Sequence, residues 1–231
     1  MASGSPTPVG VRVADGVGLI PGFVNCYTYL DGEELLLIDT GAAKRAGHIV
    51  RTFERSAVPL DRVRKILLTH HHVDHMGGAA YLVGSSHAAV ACHSDDAPYV
   101  DGRVKAPMPL LLRLFMRVHP APVALPLKDG DMVGPLRVVH TPGHTPGEVV
   151  FYEPTAKLLF AGDALREHKG ALGLPGTRYA SNLRQAVESL KRLQALDVRR
   201  MLPGHGQPVG ADFPGLLDDL IRRAPREFLG A

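Results

Sequence analysis

The stretch Thr69-His70-His71-His72-Val73-Asp74-His75 carries four imidazoles and a carboxylate at the end of the apolar run Ile66-Leu67-Leu68, and Met76-Gly77-Gly78 closes it. Polar side chains at the end of a buried strand cost free energy unless they are paired or bind a metal. If the run is extended, alternate side chains share a face. His70, His72 and Asp74 then point one way, His71 and Val73 the other, and the turn that follows swings His75 round. Imidazole nitrogens together with carboxylate oxygens are the donor set of a borderline divalent ion such as zinc. A histidine-rich surface loop is the plain alternative.

Three further residues weaken that alternative. His144 lies in His140-Thr141-Pro142-Gly143-His144-Thr145-Pro146-Gly147, Asp163 in Leu158-Leu159-Phe160-Ala161-Gly162-Asp163, and His205 in Met201-Leu202-Pro203-Gly204-His205-Gly206. Each follows a short apolar run and sits beside a glycine, where the backbone can turn sharply and approach closely. A lone histidine or aspartate at a strand end is more often a cap. Three of them, in addition to the cluster at 70–75, point to metal ligation.

The pattern His70-x-His72-x-Asp74-His75, followed by His144, Asp163 and His205, resembles the binuclear hydrolases of the metallo-β-lactamase superfamily, over about Asn25 to His205. The resemblance implies a mixed α/β (α+β) fold, a four-layer αββα sandwich. It also implies a first ion on His70, His72 and His144, a second on Asp74, His75 and His205, and Asp163 bridging the two. The implied cofactor is two divalent metal ions, zinc first and iron or manganese as alternatives, because ligand identity alone does not choose among them. Asp39, in Leu36-Leu37-Ile38-Asp39-Thr40-Gly41, matches the family's aspartate that orients a ligand imidazole. The implied reaction is attack on the carbonyl of an ester, lactone or thioester by a hydroxide held between the ions, one ion polarising the carbonyl oxygen. Asp74 is then the catalytic residue that accepts a proton and passes it to the leaving group. His71 reads as structural, and His140 as structural or as support for His144.

Several subfamilies fit unevenly. A glyoxalase-type thioesterase shares the ligand set but normally adds a helical C-terminal domain, whereas only 231 − 205 = 26 residues follow His205. Acyl-homoserine lactonases often carry a tyrosine three residues after the bridging aspartate, where this chain has Arg166. A true β-lactamase usually lacks one of these acids. A mononuclear iron sulfur dioxygenase, the alternative from another enzyme class, does not need Asp74, His75 and His205 together. A non-catalytic scaffold sits badly with a complete ligand set.

With 231 residues, 45% hydrophobic and 21% charged, the chain reads as a single domain over 1–231. A net charge of +3 with dispersed Lys and Arg gives no basic patch, so the expected partner is a small-molecule substrate rather than nucleic acid. Cys26 and Cys92 lie in apolar stretches and read as buried thiols. Neither a secretory leader nor a run of about 18 apolar residues is visible, so a cytoplasmic protein without a membrane span is expected.

The elements that must carry these ligands follow from periodicity. Strands are expected at Val9–Val13, Val24–Leu30, Glu34–Ile38, Lys65–Thr69, Ala88–Cys92, Val123–Leu127, Leu136–His140, Val149–Glu153, Lys157–Ala161 and Val198–Leu202. Helices are expected at Lys44–Ala57, Gly77–Val83, Ser181–Leu196 and Gly215–Arg223. The proline-rich insertion at 97–126 contains the apolar Leu110–Val118, which reads as a surface helix on the core, a lid over the site, or a homodimer contact.

Overall fold

The computed structural model describes residues 7–105, 119–174 and 180–229. Its contacts group them into two compact units. One takes the described residues of Met1–Leu68, His72–Ala91 and Pro98–Leu125, the other those of Thr69–His71, Cys92–Ala97 and Pro126–Ala231.

The first unit is built on a sheet whose strands lie in chain order: β1 (Val11–Ala14), β2 (Val17–Ile20), β3 (Cys26–Asp31), β4 (Glu34–Ile38), β5 (Val63–Leu67), β6 (Ala89–His93) and β7 (Val123–Leu127). The turn Asp31-Glu34 joins β3 to β4 antiparallel, with Gly32 at φ +61° supplying the left-handed residue the turn needs. From β4 to β6 the strands run parallel. Parallel strands are covered on both faces, which is why Leu35–Ile38 and Ile66-Leu67-Leu68 are apolar without alternation and fully buried. The crossover from β4 to β5 contains α1 (Ala46–Arg55), whose Ile49 and Phe53 are buried. Two short helices follow β5, α2 (Val73–Met76) and α3 (Ala79–Ser86), and α4 (Ala97–Val100) follows β6.

The second sheet has the order β14 (Arg200–Pro203), β11 (Leu158–Gly162), β10 (Val149–Glu153), β9 (Leu136–His140), β8 (Met132–Val133). A separate hairpin pairs β12 (Arg166–His168) with β13 (Ala171–Gly173). Both β10 and β11 are buried along their whole length. The period Ala186, Val187, Leu190, Leu193 on α5 (Leu183–Gln194) joins their apolar cluster, together with Phe213, Leu217 and Leu220 of α6 (Phe213–Leu229). Asn182 caps α5 by accepting the Gln185 N–H.

The class is mixed α/β with two large sheets, as expected. The extended reading of the histidine run needs correction. Strand β5 stops at Leu67, and His72, extended at φ −67° and ψ 146°, immediately precedes α2. The His72 carbonyl accepts the N–H of both His75 and Met76, so Asp74 and His75 sit on a helical turn instead of alternating along a strand. Strand β2 also went unforeseen. Its Gly18, a poor strand former, is required because a Cβ there would lie 2.0 Å from the Val9 carbonyl oxygen. Leu110–Val118 lies outside the described residues. Among those described, no helix is long and apolar enough to cross a membrane.

Candidate metal centre

Four of the seven expected ligands meet in the second unit, each at the end of a different element. His70 follows β5, His144 lies on the loop between β9 and β10, Asp163 follows β11, and His205 follows β14. The His70 and His144 rings stand edge to face, centroids 4.9 Å apart. Asp163 is the hub. One carboxylate oxygen lies 3.5 Å from His144 Nε2, and the other lies 3.5 Å from His205 Nε2. His70, His144 and Asp163 are buried, and His205 is partly open.

Local structure explains why these loops hold their shape. The His144 loop is fastened to the start of α5: Ser181 N and Oγ donate to the His144 carbonyl, and Asn182 N donates to that of Gly143. A Cβ at Gly143 would lie 2.2 Å from Ala186 N, so only glycine lets the helix approach. The His205 loop hangs on β12, where Glu167 N donates to the His205 carbonyl.

Two buried acids in this unit have no counterpart in the sequence reading. Glu148 accepts the Asp163 N–H at 3.0 Å and approaches His70 Nδ1 at 3.8 Å. Asp96 accepts from His71 N, Thr145 Oγ1 and Gly147 N at 2.7–2.8 Å, with His71 Nδ1 at 3.0 Å. Burial pushes the Asp96 carboxyl up, but His71, Thr145 and Gly147 outweigh it and hold the group below its usual range. Each acid is a lone signal next to an apolar strand, so the sequence offered little to find it by. His71 is thus structural, and His140 supports the neighbouring loop by donating from Nε2 to the Pro146 carbonyl at 2.8 Å.

His72, Asp74 and His75 belong to the first unit. There His75 Nδ1 donates to Asp39 Oδ2 at 2.8 Å, which leaves Nε2 to act as a ligand atom. Asp39 itself sits at φ +57°, a left-handed conformation that aspartate tolerates better than most residues. Thr40 clamps the same turn, donating from N and Oγ1 to the His75 carbonyl.

The family model of the metallo-β-lactamase superfamily matches residues 19–205. The chain belongs to this superfamily. Among its relatives, the Bacillus subtilis protein "Probable metallo-hydrolase YflN" is 29% identical over 93% of both chains. A hydroxyacylglutathione hydrolase of Cereibacter sphaeroides is 32% identical over 76% of this chain and 62% of its own. The solved structure of TTHA1623 in a di-iron-bound form superposes with a TM-score of 0.67 at 31% identity, covering 85% of this chain and 95% of that one. The fold is therefore of the metallo-β-lactamase type, and membership makes the chain a metallo-hydrolase-class enzyme.

The donor set fits the divalent ions that the superfamily implies. Two donors bound at about 2.0–2.2 Å to one tetrahedral ion lie roughly 3.3–3.6 Å apart. Both imidazole–Asp163 separations are 3.5 Å, too long for good hydrogen bonds and right for a shared ion. Another trio, His93, Asp95 and His140, also has donor atoms close together. It fits worse, because the two rings stack at 3.9 Å and 14°, and an ion in one ring plane lies outside the other.

Asp39→Asn keeps the left-handed backbone but removes the carboxylate from His75. Zinc affinity, read by competition with a chelator, is expected to fall about 10–100-fold. An unchanged affinity would reject the orienting role.

Proposed function

We propose that the protein is a binuclear metallo-hydrolase that cleaves an ester, lactone or thioester. His70, His72 and His144 would hold one divalent ion, Asp74, His75 and His205 the other, and Asp163 both. The observation that carries this reading is Asp163, whose two oxygens each face a different imidazole nitrogen at 3.5 Å, as a bridging carboxylate requires. Chain continuity supports it further. His70 and His72 are two residues apart, so their Cα atoms lie within about 7 Å. Ions bound there supply a Lewis acid for the carbonyl and bring water to reactivity near neutral pH. Asp74 takes the proton of the attacking water and delivers it to the leaving group. The His75–Asp39 pair keeps one imidazole aimed, and burial of His70, His144 and Asp163 keeps bulk water from their inner sides. Likeness to a hydroxyacylglutathione hydrolase supports a thioester among the substrates. Beside Asp74, Ile20, Phe23 and Val24 line a shallow, largely apolar recess against which an apolar part of a substrate could rest.

The test combines metal analysis with a substrate panel. Protein purified without chelator should carry close to two equivalents of metal and hydrolyse at least one ester, lactone or thioester. Chelation should abolish turnover, and zinc, iron or manganese should restore it. One equivalent of iron with persulfide oxidation points to the dioxygenase instead. Metal loss without effect on any reaction points to a scaffold.

A further inference from the structure

We infer that Asp96 is a positioning residue that locks the two histidine-bearing loops of the second unit to each other, and that the capacity of His70 and His144 to share an ion depends on it. The inference rests on the metal-centre reading above and adds a residue to it.

Asp96 lies just past β6, fully buried. One carboxylate oxygen takes the His71 N–H and the Thr145 hydroxyl, each at 2.8 Å, and His71 Nδ1 lies 3.0 Å away. The other oxygen takes the Gly147 N–H at 2.7 Å. His71 follows His70 directly, and Thr145 follows His144 directly. A single carboxylate therefore ties the residue after each of these two ligands. The approach to the second loop is so close that a Cβ on Gly147 would lie 2.6–2.7 Å from Asp96 atoms. Glycine at 147 is thus demanded by Asp96.

Only a carboxylate meets the demand. Its two oxygens accept along about four lone-pair directions and donate nothing, which matches three or four donors aimed at it. An amide turns one of those oxygens into a donor and sets it against the Gly147 N–H or against the His71 and Thr145 pair. One loop must then move. Loss of a supporting partner loosens metal ligands by about 10–100-fold.

The experiment measures zinc affinity by chelator competition on wild type, Asp96→Asn and Thr145→Val, well below each melting temperature, with the visible spectrum of the cobalt-loaded forms as a second readout. Asp96→Asn is expected to weaken zinc binding about 10–100-fold and to shift the cobalt bands. Thr145→Val removes one donor at constant shape and should do the same to a smaller degree. A purely structural acid would lower the melting temperature and leave both readouts of the folded protein unchanged, which overturns the inference. If Asp96→Asn does not fold, Thr145→Val decides alone: weakened binding supports the lock, and unchanged binding rejects it. Wild type without bound zinc, iron or manganese defeats the metal-centre reading and this inference together, whereas tight binding in wild type and both variants defeats this inference alone.

Discussion

Asp163→Ala is expected to abolish tight metal binding and hydrolysis together, beyond the roughly 10–100-fold that changes outside the ligand shell cost. Removing the carboxylate takes away the group that faces His144 Nε2 and His205 Nε2 at 3.5 Å each. Both imidazoles then lose the carboxylate that would complete the ions they are proposed to hold. The backbone should hardly respond, because the Asp163 N–H that Glu148 accepts is still present in alanine. Stability should therefore stay near wild type while metal content falls. Elemental analysis and turnover on the same preparation check this. Asp163→Ala that keeps two metals and near-normal activity would sink the bridging assignment.

The candidate ligands stand out in the chain because their residue types break the local rules. Histidines and aspartates directly after Ile66-Leu67-Leu68, Leu158–Ala161 and Met201-Leu202 contradict their apolar surroundings, and the contradiction marks them. Strands with a continuous apolar run and a turn on either side were equally legible: Glu34–Ile38, Val123–Leu127, Leu136–His140 and Val149–Glu153 begin and end as expected. The hairpin of β12 and β13 was not legible. Its strands have three residues each and are largely exposed, so no burial pattern announces them. Yet Glu167 on β12 fixes the His205 loop. Asp96 was invisible for another reason. Its partners lie 25, 49 and 51 residues away in sequence, and a single chain carries no record of such pairings. The helical turn at Val73–Met76 overrode the alternation expected of the histidine run because hydrogen bonds to the His72 carbonyl were available there.

Gly162→Ala is expected to cost about 100-fold in turnover, through a position that binds nothing itself. Gly162 has φ +50°, and a Cβ there would lie 2.6 Å from Cβ and Oγ1 of Thr69. Real atoms do not approach so closely, and Thr69 is branched, fully buried and held by its carbonyl, which accepts Val149 N. The collision cannot be relieved by swinging a flexible end aside. Either Thr69 moves, carrying His70, whose Nδ1 touches Thr69 Oγ1 at 3.1 Å, or the strand end moves, carrying Asp163. The Gly162 carbonyl also accepts Gly204 N at 2.9 Å, so His205 follows as well. A shift on the order of 1 Å in a preorganised site costs roughly 10²-fold. Gly130→Ala separates this from backbone strain alone. Gly130 has φ +86° but nothing within 4 Å of its would-be Cβ, so it should pay only the left-handed penalty of about 1–2 kcal/mol in stability and keep its turnover. Melting temperature, zinc content and kcat/KM on the two variants decide the matter. If Gly162→Ala loses stability like Gly130→Ala but hydrolyses at the wild-type rate, contact with Thr69 does not set the ligand positions.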